Sequence, residues 1–306
     1  MSDFRSIAVV GSGSVGGYYG ARLALHHEVH FLMRRDLEAV REKGLTIESV
    51  AGDFHLDAVR AAASTREIGP VDLVLIAVKT TSNDSLPELI PPLLHEDTTL
   101  LTLQNGLGNE EFLHRHFPEQ PILGGLCFVC INRGAPGTIH HLAHGKVEMG
   151  EFTDTGLVEP VGERFREAGI DCRILPDLGL ARWRKLVWNV PFNGLSIAAG
   201  SLDTRRILDR PDLVERVRNL MNEVIVIAAA HGHEIDRAFA ETNIAGTRQM
   251  GPYRPSSLID FDDGKPVEVD AIWGEPLRRA REKGVEAPEL ERLHEEIREA
   301  VAGRAG

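Results

Sequence analysis

A short glycine run constrains this chain more than any other feature. Ser6-Ile-Ala-Val-Val10 is apolar and β-branched, and it passes directly into Gly11-Ser12-Gly13-Ser14-Val15-Gly16, where a helical pattern begins. After a strand, each glycine of such a run has its own physical task. The first permits the tight turn, the second removes a side chain where a pyrophosphate approaches the backbone, and the third lets the helix pack close to the strand. The helix N-terminus then presents unpaired N–H groups and the positive end of its dipole to the phosphates. A turn without a ligand is the competing reading. It accounts for glycines, but not for this spacing in this position.

The surrounding pattern predicts an α/β fold. A helix is expected from Ser14 to Leu25, with strands over Glu28–Met33, Val71–Val78 and Thr98–Leu103. The run from Val71 is almost wholly apolar, as a parallel strand buried on both faces should be. From Ile122 to Gly150, strand follows strand, which suggests a closing mixed edge of the same sheet. The second half changes character. Apolar spacing predicts helices over Leu178–Ala199, Pro211–His231, Arg237–Met250 and Pro288–Val301, with a frayed tail over 302–306. The expected organisation is therefore an N-terminal Rossmann-type dinucleotide-binding domain (1–176) followed by an all-α domain (177–306), with Asp177 as a plausible N-cap.

Charge and composition narrow the function. With 306 residues and a formal net charge of -12, the chain is not expected to coat nucleic acid or an anionic membrane. It has no apolar run near the roughly 20 residues of a membrane span and no signal-peptide pattern, so a cytoplasmic location is expected. Cys127-Phe-Val-Cys130 lies in an apolar strand and reads as inert core cysteines rather than a redox pair. His140, His141, His144, His231 and His233 read as loop and surface residues, and no metal is expected.

The end of the second strand bears on the cofactor. An acid there would favour a ribose 2′-hydroxyl, but the chain has Arg34-Arg35. Their charge and forked donors suit a 2′-phosphate, so NADP (as NADPH) is expected. Asp36 is read as a cap for the next helix.

Lys185, Asn189 and Asn193 are spaced by four, so on a helix they share one face, about 6 Å of rise apart. Asparagine is a poor residue inside a helix, and Pro191 should disturb the ladder. Taken alone, the stripe is equally a solvent-facing polar face. Two segments tip the balance. Lys79 follows the strand from Val71, and Asn105 follows the strand from Thr98, both at the strand ends where open α/β sheets bind ligands. Pro255-Ser256-Ser257 and Glu268 occupy a polar loop that precedes a further helix, with Glu268 near the helix start.

Together, Gly11/Gly13/Gly16, Arg34, Lys79, Gln104-Asn105-Gly106, Arg182-Trp-Arg-Lys185…Asn189…Asn193 and Ser256-Ser257…Glu268-Val-Asp270 resemble the ketopantoate reductase (2-dehydropantoate 2-reductase) family over nearly the whole chain. The resemblance implies NADPH-dependent reduction of a small 2-oxo acid, with a possible homodimer. It implies Lys185 as the catalytic lysine and Glu268 as the carboxylate working with it. It places Lys79 and Asn105 with the cofactor, and Asn189, Asn193 and one of Ser256 and Ser257 with the substrate. Asp203 stands where some members have asparagine; capping of the next helix is the favoured reading over facing the substrate. A β-hydroxyacid dehydrogenase and a non-catalytic NADP-binding sensor are the alternatives.

Overall fold

Alternation along the first strands sorts their side chains onto two faces of one sheet. In the computed structural model, which describes residues 4–304, Ile7, Val9, Leu73 and Leu75 join one buried cluster, while Ala8, Val10, Val74 and Ile76 join another. A strand buried on both sides needs apolar residues at every position, and these have them.

The chain divides into two compact units, Met1–Gln104 with Asn109–Leu178, and Asn105–Gly108 with Gly179–Gly306. The first unit holds every strand. In chain order they are β1 (Ser6–Val10), β2 (Glu28–Leu32), β3 (Leu45–Ser49), β4 (Phe54–Leu56), β5 (Arg60–Ala62), β6 (Leu73–Ile76), β7 (Thr99–Thr102), β8 (Ile122–Arg133), β9 (Thr138–Glu151) and β10 (Cys172–Ile174). They form a 10-stranded sheet in the order β4-β3-β9-β8-β7-β6-β1-β2-β5, with β10 beside β9. The stretch β5-β2-β1-β6-β7-β8 is parallel throughout, so the direction of winding reverses between β1 and β6. The long antiparallel pair β8 and β9 makes the sheet mixed as expected, but it does not close the edge: β3 and β4 continue the sheet beyond β9.

The second unit is all helical. Its segments are Leu178–Ala198, Thr204–Leu208, Pro211–Ala230, Ala238–Met250, Ser256–Asp262, Glu275–Glu282 and Pro288–Arg304, with a π-helical turn at Asp270–Gly274. Leu178–Ala198 is its central rod. Leu186, Val187, Val190, Phe192 and Leu195 are all buried on it, and Pro191 is accommodated without ending the helix. Among the described residues, no helix is long and apolar enough to cross a membrane.

Several local expectations are corrected. Ser256–Asp262 is a short helix rather than a loop. Cys127 and Cys130 are half-buried in β8, not core; the buried cysteine is Cys172, whose thiol burial pushes up to about 11. His141 is no surface histidine. It is buried in β9, its ring tilted against Tyr18 with centroids 4.5 Å apart and hydrogen-bonded to Ser49 Oγ at 2.8 Å, and burial lowers its pKa. The last helix continues through Arg304, and the remainder of the expected frayed tail lies outside the described residues.

Candidate active site

In the first unit the three loop glycines meet three different surroundings. Gly11 has φ +104°, and a Cβ there would lie 2.3 Å from the backbone nitrogen of Val78, so both the turn and the approach of β6 require glycine. A Cβ on Gly16 would lie 2.3 Å from the carbonyl oxygen of Gly11 and 3.0 Å from Val9, which is the close helix–strand packing. A Cβ on Gly13 would meet nothing within 4 Å. The fold itself therefore does not demand glycine at Gly13. It stands at the N-cap of the helix Ser14–Leu23, next to Ser12 and ahead of Ser14 and Val15, with open space where an anion would approach the helix end.

The loop follows β1, beside the reversal of winding between β1 and β6. Open α/β sheets bind ligands at such a point. Lys79 is exposed just past β6. Arg34 and Arg35 are exposed just past β2, and neither makes an ion pair among the described residues. Asp36 does not cap the following helix as expected; its side chain makes no capping bond and instead pairs with Arg133. That partner is on β8, far along the chain, and local sequence gave no sign of it.

A buried amide network fixes the ends of β6 and β7. Gln104 Nε2 donates to Asn83 Oδ1 at 2.7 Å and to the Val78 carbonyl at 3.0 Å, and its Oε1 accepts from Thr102 Oγ1 at 3.0 Å. Asn83 Nδ2 in turn donates to Asn109 Oδ1 at 3.1 Å. Sequence reading picked out Gln104 only as part of a motif and missed Asn83 and Asn109. Their only signal was polarity beside strand ends.

In the second unit the helix Leu178–Ala198 carries the spaced stripe. Lys185 is half-buried, whereas Asn189 and Asn193 are buried. The stripe is therefore not a solvated face. Lys185 Nζ donates to Asn105 Oδ1 at 3.0 Å. Asn193 Oδ1 accepts from the Ser257 backbone N–H at 3.1 Å, leaving its N–H₂ end to offer elsewhere. The Asn189 side-chain amide makes no hydrogen bond among the described residues, which fits a group kept for a ligand. Of the paired serines, Ser257 is buried and Ser256 is exposed. Glu268 is a buried carboxylate just ahead of the π-helical turn. Asp203 caps the helix Thr204–Leu208 by accepting from Arg206 N–H at 2.9 Å, as favoured from sequence. Trp183 is buried in the helical core, and the partly buried Trp188 packs against it.

The arrangement offers one ammonium held by an amide carbonyl, with buried amides, a serine and a carboxylate in the same unit. Such a set can bind an oxygen-rich anion and supply it a proton. Known proteins agree in kind. The family model for ketopantoate reductase PanE/ApbA matches residues 7–154, and that for its C-terminal part matches 177–301. A 2-dehydropantoate 2-reductase from Nostoc is 41% identical over 304 residues, covering 96% of this chain and 94% of that protein. The crystal structure of 2-dehydropantoate 2-reductase from Geobacter metallireducens is 45% identical, with a TM-score of 0.93, covering 96% of this chain and 99% of that one. The corresponding enzyme from Methylococcus capsulatus is 34% identical with a TM-score of 0.91, covering 98% of each chain.

Proposed function

The chain belongs to the ketopantoate reductase family, and on that premise we propose that it reduces 2-dehydropantoate, or a closely related 2-oxo acid, to the 2-hydroxy acid with NADPH. The observation that carries the reading is Lys185, a half-buried ammonium that donates to Asn105 Oδ1 on the same helix face as two buried asparagines.

The first unit fits the dinucleotide on its own geometry. Gly13 leaves the helix N-terminus open to a pyrophosphate, and Arg34 and Arg35 offer forked cationic donors for a 2′-phosphate. Gly11, Ser12, Ser14, Val15 and Gly16 complete the cradle, and Lys79 lies just past β6 as a further contact. When bound, NADPH supplies the hydride, and the protein aligns and polarises.

Lys185 does the protein's share of the chemistry. As the carbonyl oxygen gains charge, the ammonium stabilises it and then gives it a proton. Asn105 Oδ1 takes one of the three ammonium donors and so fixes the direction of the others. Asn189, Asn193 and Ser257 bind the substrate as neutral donors, so the carboxylate is held without drawing on the ammonium. Glu268 orients the lysine or accepts from a substrate hydroxyl.

The family's small 2-oxo acid is the substrate class, in the cytoplasm. A homodimer is the proposed assembly; a ketopantoate reductase from Staphylococcus aureus of the same fold is described as dimeric. Turnover of NADPH with ketopantoate and a panel of 2-oxo and 3-hydroxy acids tests the whole reading. Preference for a 3-hydroxy acid would move the chain to β-hydroxyacid dehydrogenase chemistry. NADPH binding without any turnover would leave a sensor.

A further inference from the structure

The π-helical turn at Asp270–Gly274 breaks the register of its own hydrogen-bond ladder. Glu275 N–H donates to the Asp270 carbonyl, an i→i+5 bond. The Ala271 carbonyl is then left without a donor in its helix. Residue i+4 is Glu275, whose N–H is already used, and residue i+5 is Pro276, which has none. That carbonyl instead accepts from Leu107 N–H at 3.0 Å. Gly106 makes the approach possible: its φ is +84°, and a Cβ there would lie 2.4 Å from the Ala271 oxygen. The next residue toward the N-terminus is Asn105, which accepts from Lys185 Nζ.

The same turn also grips the helix that bears Lys185. Trp273 is fully buried, and its Nε1 donates to the Val190 carbonyl at 2.9 Å. The ring fits there because position 194 is glycine; a Cβ on Gly194 would lie 2.9 Å from the indole nitrogen. Both partners of the Lys185–Asn105 hydrogen bond are thus tied to one irregular turn.

We propose that this π turn is a positioning device for Lys185, with two working parts: the out-of-register Ala271 carbonyl, which acts through Asn105, and the Trp273 indole, which acts through the helix that bears Lys185. The proposal rests on the reading of Lys185 as proton donor. A regular α-helical turn would spend the Ala271 carbonyl on itself and leave Asn105–Gly108 without this anchor.

Double-mutant cycles at saturating NADPH test it. Gly106→Ala is combined with Asn105→Ala, and Trp273→Phe with Lys185→Ala. Each single variant is expected to lose about tenfold to a hundredfold in kcat, with a smaller change in KM for the 2-oxo acid, as a misplaced catalytic group does. Each double variant is expected to be within about twofold of the Asn105→Ala or Lys185→Ala single variant it contains, because groups acting through one partner are not additive. Losses that multiply, or single variants with parental kcat, overturn the proposal. Trp273→Phe keeps an aromatic ring while removing the indole N–H, and decides the matter alone if Gly106→Ala fails to fold. Lys185→Ala is measured alongside: parental kcat there would refute the proton-donor reading itself, a different failure from additivity in the cycles.

Discussion

The glycine loop and the lysine helix suit their proposed ligands in opposite ways. Gly11 to Gly16 acts by what it lacks: backbone N–H groups, open space at Gly13, and a strand and helix brought close at Gly11 and Gly16. Leu178–Ala198 acts by what it displays, side chains on a rod whose other faces are buried. A loop of the first kind is specified by a few residues in a row. A stripe of the second kind gains meaning only from residues elsewhere in the chain, such as Asn105 and Ser257. The two should also fail differently when altered.

The largest effect is expected on the lysine helix. Lys185→Ala should lose at least about 10²-fold in kcat while NADPH still binds, as loss of a general acid does. Stopped-flow turnover beside a fluorescence titration checks it; kcat within a few-fold of the parent would assign the proton to another group. Next come two neighbouring glycines that the structure separates sharply. Gly11→Ala forces a non-glycine residue to φ +104° against the Val78 backbone, and should cost about 1–3 kcal/mol of stability or more. Gly13→Ala meets nothing in the protein, so its melting temperature should hold while NADPH affinity falls. A Gly13→Ala protein that melts early with normal affinity would end the contrast between fold glycine and ligand glycine.

A smaller effect is expected at the strand end. Arg34→Ala should narrow the preference for NADPH over NADH by about tenfold, the worth of one charge-assisted hydrogen bond of about 1.5–3 kcal/mol. Equal kcat/KM for the two cofactors in the parent would remove the basis of that expectation. The smallest is at Asp203. Asp203→Asn should leave ketopantoate kinetics and stability unchanged, because asparagine caps as well as aspartate, and Asp203→Ala should cost about 1 kcal/mol in thermal or urea unfolding. A clear fall in KM for Asp203→Asn would mean that the carboxylate repels the substrate.

What could be read from sequence followed the range of the interaction. The β1–glycine–helix unit, the buried strands and the long helices are set by neighbours in the chain, and the structure places them within a few residues of expectation. Errors came where a distant partner decides. Asp36 looks like a cap until Arg133 on β8 claims it. His141 looks like a loop residue until β3 and Tyr18 close over it. Ser256–Asp262 begins after proline and two serines, which read equally as a loop or a helix start. At the candidate site, Lys185, Asn189 and Asn193 stood out by spacing, but that Ser257 rather than Ser256 is the buried serine depends on the Asn193 contact. The π turn had no visible signature, since Pro276 alone reads as an ordinary first-turn proline.

Leu107 gives the four residues from Asn105 to Gly108 a practical meaning. It is a buried member of the helical unit's core, although its flanking strand and helix belong to the other unit. A gene fragment beginning at residue 179 would therefore encode a bundle missing one of its own core side chains, with the Ala271 carbonyl deprived of its donor. The helical unit is discontinuous in the chain. Exchanging helical halves between relatives, or splitting the chain for complementation, requires carrying the tetrapeptide along with the helices it completes.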